Sequence, residues 1–168
     1  MSEPTEIVEP CEVSTQAELS EGCLAEKLGI RGDAAEKKIT FIEWMIPQIE
    51  RIKEELPYLS IIPTSLIIAQ AALESDWGRS YRAKKHFNLF GLEIDGQSMR
   101  FQSPQESLVC YLKTLYTNRS YRTFQSYLGI KSAPELTKHL VAYSKEKQEY
   151  GKKLRTIMRG NRLTKLDS

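Results

Sequence analysis

The feature that most constrains the fold is an almost wholly apolar segment that ends in an acid, SLIIAQAALESDWGRS, at residues 65–80. Between Leu66 and Glu74 the only uncharged polar residue is Gln70, and no charge precedes the terminal carboxylate. Pro63 lies just before the segment, and proline is favoured in the first turn of a helix. Because a helix that is apolar on every side is surrounded by protein, the segment predicts the central buried helix of a mainly helical domain.

The remaining start and stop signals are also helical. The sequence DAAE at 33–36 is similar to a capping box and opens a segment that Pro57 closes, with a kink expected near Pro47. Two more capping boxes, at 103–106 and 132–135, predict helices in LVCYLKTLYTN and LTKHLVAY, and a last helix is predicted in EYGKKLRTIMRG. The first helix has apolar residues at helical spacing, namely Ile39, Ile42, Ile46, Ile49, Ile52 and Leu56.

One stretch differs from this helical pattern. NLFGLEIDGQSMRF, at 88–101, alternates imperfectly and contains Asp95-Gly96, a strong signal for a two-residue hairpin turn. The fold class predicted from these patterns is mainly α with a short β-hairpin lobe.

Charge divides the chain into two parts. Residues 1–36 contain nine acids against Lys27 and Arg31, a net charge of −7, whereas the rest contains 22 bases and 13 acids, a net charge of +9. The first 32 residues also have few large apolar side chains, so they cannot bury enough surface to offset their ordering entropy. We expect residues 1–32 to be an acidic, disordered tail and 33–168 to form one folded domain, since 168 residues is an ordinary length for one.

Several classes of function are disfavoured by the composition. No run approaches the roughly 18 apolar residues of a membrane span, and the first residues lack the features of a signal peptide, so neither membrane insertion nor a signal is expected. No glycine-rich phosphate loop follows a strand. The basic residues are spread over several helices, so no nucleic-acid partner is expected either.

The cysteines and histidines do not have the spacing of a metal site. Cys110 lies in an apolar helical stretch, and Cys11 and Cys23 could pair only in an oxidising compartment, which leaves their redox state open. His86 and His139 are more than fifty residues apart and have no cysteine nearby. We therefore expect no metal and no cofactor.

The acid at the end of the buried helix has the properties of a proton donor. Glu74 faces both desolvation and the negative end of the helix dipole, and both favour its protonated form. Trp77 beside it can supply an apolar wall or a stacking surface. The alternative is a solvated helix end at which Glu74 pairs with Arg79 or Arg82, and periodicity does not decide between the two.

The stretch PTSLIIAQAALESDWGRS followed by KKHFNLFGLE closely resembles the signature of the glucosaminidase family of peptidoglycan hydrolases, glycoside hydrolase family 73. The family motif Ala-x-x-Glu-Ser-x-Trp-Gly is matched at 71–78, and Asn-Leu-Phe-Gly is matched at 88–91. The resemblance continues to about residue 161, and the spacing of its closing segment is nearest to the Bax-like branch. The downstream matches are Phe101, Ser107, Tyr111, Leu115, Tyr143 and Tyr150.

This resemblance implies a lysozyme-like fold and an endo-β-N-acetylglucosaminidase, an enzyme that hydrolyses the β-1,4 bond after N-acetylglucosamine. Glu74 matches the catalytic acid, and Tyr143 matches a tyrosine that the family keeps near it. The substrate-binding positions that it implies are Trp77, Asn88, Phe90 and Tyr111. Four of the implied site residues have a structural alternative: Phe90 and Tyr111 as core, Asn88 as a turn residue, and Tyr143 as a ring stacked on the core.

The second catalytic group is less defined. Glu93 is the better protein candidate because it lies in the lobe, whereas Asp95 is better explained as the turn residue of the hairpin. The N-acetyl group of the substrate or Tyr143 could replace a carboxylate. The lobe, with only residues 92–102, is shorter than in many relatives.

The implied partner is the glycan strand of peptidoglycan, and a monomer is expected. Such a substrate places the action of the protein in the cell wall, the periplasm or outside the cell. Two other functions remain open: cleavage on the muramic acid side, as in lysozyme and lytic transglycosylases, and a catalytically weak glycan-binding module.

Overall fold

The computed structural model describes residues 34–167, with side chains from residue 37 onward. The predicted tail at 1–32, Cys11, Cys23 and the capping box at 33–36 therefore lie wholly or partly outside the described residues. Seven α-helices and one two-stranded sheet follow one another along this part of the chain. They are α1 (Ala34–Glu55), α2 (Thr64–Ser75), α3 (Tyr81–His86), β1 (Glu93–Ile94), β2 (Gln97–Ser98), α4 (Pro104–Thr117), α5 (Arg122–Tyr127), α6 (Ala133–Leu136) and α7 (Gln148–Gly160).

Helix α2 is the central element, as its sequence predicts. It begins directly after Pro63, and nine of its twelve residues are buried. It packs against α1, α7 and the short 3₁₀ turn Leu163–Asp167. The Asp167 carboxylate accepts hydrogen bonds from the backbone N–H of Ser65, at 2.9 Å, and from its hydroxyl. The Asp167 carboxylate thus takes the place of an N-cap side chain at the start of α2, because Pro63 has no side-chain acceptor for these donors.

Helix α1 continues through Pro47 to Glu55, but its buried face differs from the predicted isoleucine stripe. Ile39 is 55% exposed, and Ile42 and Ile46 are only partly buried. The buried face keeps Ile49 and Ile52 of that stripe and adds Phe41 and Met45, so the predicted stripe and the buried face overlap only in part. Both sets of residues recur at helical spacing, so the choice between them depends on packing partners such as Trp77, which contacts Phe41.

Ser103 and Ser132 cap helices at the two predicted positions. The hydroxyl of Ser103 accepts from the backbone N–H of Glu106 at 3.2 Å, and that of Ser132 accepts from Glu135 at 3.4 Å. The first cap opens the fourteen-residue α4, whereas α6 ends after four residues and passes into a 3₁₀ turn. The predicted helix in LTKHLVAY is therefore cut short. The hydroxyl of Thr137 bonds back to the carbonyl of Pro134 at 2.6 Å, a local bond that competes with the helical pattern.

The hairpin also occurs where Asp95-Gly96 predicts it. Strands β1 and β2 pair antiparallel, with Glu93 opposite Ser98 and Ile94 opposite Gln97. Asp95 and Gly96 have φ values of +52° and +76°, and two positive φ angles are what a type I′ turn requires. Asp95 is thus a turn residue.

Candidate active site

Glu74 lies on the last turn of α2, where the chain leaves the helix through a left-handed turn. Asp76, Trp77 and Gly78 have φ values of +49°, +56° and +81°. The first two cost energy as non-glycine residues, so the conformation has to be held by its surroundings. The buried Ser75 hydroxyl does this, since it donates to the carbonyl of Ala71 at 2.5 Å and accepts from the N–H of Gly78 at 2.8 Å. The turn thereby fixes the position from which Glu74 projects.

The surroundings of Glu74 favour its protonated form. Burial raises the pKa of Glu74 from 4.5 to about 7, and the negative charges of Glu146 and Glu93 also raise it. A hydrogen bond from Tyr150 and the positive charge of Arg82 act in the opposite direction. The raised pKa agrees with the expectation from desolvation at the end of a buried helix.

The alternative of a solvated, ion-paired helix end does not fit this geometry. Arg79 pairs with Asp76 at 2.9 Å, and Arg82 pairs with Glu93 of the hairpin at 2.9 Å. Neither guanidinium therefore has Glu74 as its ion-pair partner.

The backbone of Gly91 lies directly against the acid. A Cβ added at this position would be 2.5 Å from Oε2 of Glu74, closer than atoms can approach. Gly91 also has a φ of +64°, which disfavours other residues. A side chain at position 91 would therefore be strained, and it would require either the Glu74 carboxyl or the Asn-Leu-Phe-Gly segment to move.

Four tyrosines and Phe90 form an aromatic cluster beside Glu74. The rings of Phe90 and Tyr111 are stacked at 3.8 Å, and those of Tyr143 and Tyr150 are parallel with centroids 5.5 Å apart. Tyr121 contacts Tyr143 at 6.1 Å. Burial raises the pKa of each of the four hydroxyls, so all of them remain protonated hydrogen-bond donors at neutral pH.

The structure places Phe90 and Tyr111 inside the core instead of on a sugar-binding surface. Both rings are fully buried, and each covers one face of the other. Trp77 is also buried, with its ring edge-on to Phe41 at 5.8 Å and the Lys38 ammonium 5.3 Å from its centre. Phe90 and Tyr111 therefore differ from the expectation of direct stacking on a sugar, because neither ring is exposed and each covers the other. At Trp77, Phe41 and the Lys38 ammonium already contact the indole ring.

Asn88 lies beneath the hairpin. It is 1% exposed, and its amide nitrogen donates to the carbonyls of Leu92 and Met99 and to the hydroxyl of Ser98. Its carbonyl oxygen accepts from the N–H of Leu92 at 3.0 Å. Asn88 therefore holds the lobe together, which is the structural alternative to substrate contact.

Tyr143 is half-buried, and its hydroxyl donates to the carbonyl of Phe90 at 2.7 Å. Its ring contacts Tyr111, Tyr121 and Tyr150. The hydroxyl thus holds the segment that leads to Gly91, and through it the backbone that contacts Glu74.

Four residues near Glu74 were not among the predicted site residues: Gln70, Arg82, Glu146 and Tyr150. The hydroxyl of Tyr150 is hydrogen-bonded to Glu74, and Gln70 connects Tyr150 to Tyr111. The sequence contains a signal for Gln70, because a lone polar residue in a buried helix requires a partner. Tyr81, the first residue of α3, is 69% exposed, and its ring contacts that of His86 at 5.5 Å.

A cavity of about 500 Å³ lies at the other end of α2 and is lined by residues that include Lys53, Thr64 and Lys131. Thr64 and Glu74 are ten residues apart on one helix, which corresponds to about 15 Å. The cavity is therefore separate from the acid.

Two classes of feature are absent from the described part of the chain. Its His, Cys, Asp and Glu side chains include no group of three placed to hold a metal ion. Within residues 34–167, no helix is both long enough and apolar enough to cross a membrane.

Comparison with known proteins identifies the family. The family model described as mannosyl-glycoprotein endo-beta-N-acetylglucosaminidase, the glucosaminidase family, matches residues 50–163, which include Glu74, the hairpin and α7. The chain belongs to the glucosaminidase family. The resemblance of the two sequence motifs to this family is thereby confirmed, and the described residues form a glycoside hydrolase domain.

Two individual proteins are similar to this glucosaminidase domain. Protein bax of Escherichia coli K12 is 35% identical over 82 residues, which cover 42% of this chain and 30% of that protein. The chain thus spans less than a third of the length of this curated relative. The catalytic domain of the autolysin Auto from Listeria monocytogenes matches with a TM-score of 0.64 at 26% identity, over 77% of this chain and 87% of that domain. The predicted fold, a lysozyme-like helical domain with a short hairpin, is confirmed.

Proposed function

We propose that the domain is an endo-β-N-acetylglucosaminidase that hydrolyses the β-1,4 bond after N-acetylglucosamine in peptidoglycan, with Glu74 as the proton donor. The observation that carries this proposal is the Glu74 carboxyl, partly buried, held by Tyr150 and raised in pKa to about 7, within a domain of the glucosaminidase family. Membership of the family supports the assignment of the cleaved bond. The similarity to an autolysin catalytic domain supports peptidoglycan as the substrate. The site of action is then the cell wall.

The environment of Glu74 suits the chemistry of glycoside hydrolysis. The leaving sugar departs as a poor alkoxide unless a proton is delivered to the glycosidic oxygen. A general acid works best when its pKa is near the operating pH, because it must hold the proton beforehand and release it in the reaction. A carboxyl with a pKa of about 7 meets both conditions at neutral pH.

Glu93 is the candidate for the second catalytic group. It lies on β1, its side chain is 45% exposed, and its charge acts on Glu74. Its ion pair with Arg82, at 2.9 Å, holds it in the free protein, and bound glycan can replace that pairing. Glu146, which pairs with Lys153 at 2.8 Å, is a further carboxylate whose charge raises the pKa of Glu74.

Glu93→Gln is expected to lower turnover markedly, but less than loss of Glu74, because the amide cannot activate water or stabilise the sugar cation. Asp95→Asn is the matched control, since it removes a lobe carboxylate that serves the turn, and it should stay near the wild-type rate. The measurement is the initial rate of peptidoglycan digestion. Full activity in Glu93→Gln would assign the role to the substrate N-acetyl group or to Tyr143, and Tyr143→Phe would then separate these two.

The bond that is cleaved can be tested directly by mass spectrometry of the released glycan ends. The proposal expects fragments with N-acetylglucosamine at the reducing end. Reducing muramic acid ends would assign a muramidase, and anhydro ends would assign a lytic transglycosylase. Binding without any new ends would leave the domain as a glycan-binding module.

A further inference from the structure

Gln70 is a fully buried polar residue in the middle of α2, one helical turn before Glu74. Both ends of its amide are hydrogen-bonded. The Tyr111 hydroxyl donates to Oε1 of Gln70, and Nε2 of Gln70 donates to the hydroxyl oxygen of Tyr150 at 3.0 Å. Tyr150 is in turn hydrogen-bonded to the carboxyl of Glu74. A continuous chain of hydrogen bonds therefore runs from Tyr111 to Glu74.

The direction of this chain follows from the number of protons available. A tyrosine hydroxyl has one proton to donate. Since the oxygen of Tyr150 accepts from Gln70, its own proton remains available for Glu74. If the Gln70 amide were reversed, its oxygen would compete for the Tyr150 proton, and the fully buried Tyr111 hydroxyl would lose the acceptor it now has. The observed orientation satisfies both hydroxyl protons.

We propose that Gln70 is a positioning residue for the proton of Glu74, acting through the hydroxyl of Tyr150. The proposal rests on the proposed function of Glu74 as the general acid. After Glu74 gives up its proton, the carboxylate left behind needs a donor, and Tyr150 is directed towards it. A hydroxyl that accepts one hydrogen bond becomes a stronger donor in another, so the bond from Gln70 also strengthens that support.

Other groups also face Glu74, and one of them, Tyr111, is itself hydrogen-bonded to Gln70. They come from every element around the acid: Arg82 from α3, Glu93 from the hairpin, Glu146 from the segment before α7, and the rings of Tyr111, Tyr121 and Tyr143. A substitution at residue 70 leaves the three charged groups among them in place. A change in the titration of Glu74 in that variant then reports on the hydrogen-bond chain.

The test uses Gln70→Met, which keeps the approximate size and removes both hydrogen bonds, and Tyr150→Phe, which removes only a hydroxyl. Loss of a donor to the carboxylate raises its pKa, so the fall in kcat/KM on the alkaline side should move to higher pH. We expect a shift of about one pH unit for Tyr150→Phe and about half a unit for Gln70→Met. Because Gln70 acts through Tyr150, the double variant should shift no further than Tyr150→Phe alone.

The same pKa can be measured without any substrate, from the pH dependence of the ¹³C signal of the Glu74 carboxyl. This measurement separates the two proposals: an inactive wild-type protein would overturn the proposed function, whereas an unchanged Glu74 titration in Gln70→Met would overturn the role of Gln70. If Gln70→Met does not fold, Tyr111→Phe provides the test, because it releases the amide oxygen of Gln70 and keeps the ring stacked on Phe90. A smaller shift in the same direction is expected for it.

Ser65→Ala is the matched control for a purely structural effect. Ser65 is buried on the same helix and is hydrogen-bonded to Asp167 at the end remote from Glu74. Its loss should lower the melting temperature without moving the titration of Glu74. The proposal is overturned if Gln70→Met also leaves that titration unmoved, or if its shift adds fully to that of Tyr150→Phe.

Discussion

Glu74→Gln is expected to lower peptidoglycan turnover by about 10²-fold or more, because the amide has no proton to deliver to the leaving oxygen. The substitution keeps the size of the side chain, and the amide oxygen can still accept the hydrogen bond from Tyr150. The fold and the binding of glycan should therefore persist. The measurements are the digestion rate of purified peptidoglycan and, in parallel, binding to the same material. Digestion at the wild-type rate would exclude Glu74 from the mechanism.

The same variant should also change the pH dependence of stability. The Glu74 carboxyl ionises near pH 4.5 in the unfolded chain and near 7 in the folded domain, so the unfolded state loses its proton first and stability falls as the pH rises between these values. That interval corresponds to about 3 kcal/mol of unfolding free energy. Glutamine removes this cost, so at pH 8 the variant should be more stable than the wild type by about that amount.

Denaturant unfolding at two pH values checks this expectation. At pH 4 the wild-type carboxyl is mostly protonated in both states, so the difference in unfolding free energy between the two proteins should be small. A difference that is equal at pH 4 and pH 8 would mean that Glu74 titrates alike in the folded and unfolded states. We expect Glu74→Gln to lose activity and to gain stability at high pH, which is the result for a buried acid whose role is catalytic and not structural.

The sequence predicts the parts of the site that depend on local chemistry. Glu74 stands out because it ends an almost wholly apolar helix, and helix burial was predictable from composition alone. The hairpin follows from Asp95-Gly96, whose φ preferences select the type I′ turn. In both cases the information lies within a few residues of the feature that it predicts.

Contacts between distant segments could not be predicted in the same way. Phe90 and Tyr111 are aromatic residues in a family motif, but a motif does not state whether a ring faces a sugar or another ring, and here each ring covers the other. Tyr150 lies 80 residues from Gln70, and the hydrogen bond between them exists only because α7 packs on α2. The polar residue in the buried helix indicated that a partner exists, but not which residue it is.

Gly91→Ala is expected to lower turnover by about 10²-fold even though residue 91 does no chemistry. The new methyl group would lie 2.5 Å from Oε2 of Glu74, so either the acid or the segment leading into the lobe has to move. A displacement of about 1 Å in a reacting group is enough for a loss of this size. The positive φ of +64° adds a cost of about 1 kcal/mol to folding.

Gly96→Ala separates these two effects. Gly96 also has a positive φ, +76°, but a Cβ added there meets no atom within 4 Å. Both variants should therefore lose a similar amount of stability from backbone strain in a thermal melt, whereas only Gly91→Ala should lose most of its activity. If Gly96→Ala is equally inactive, the defect comes from strain in the lobe and not from contact with the acid. If Gly91→Ala digests peptidoglycan normally, the close approach of its backbone to Glu74 has no part in holding the proton donor.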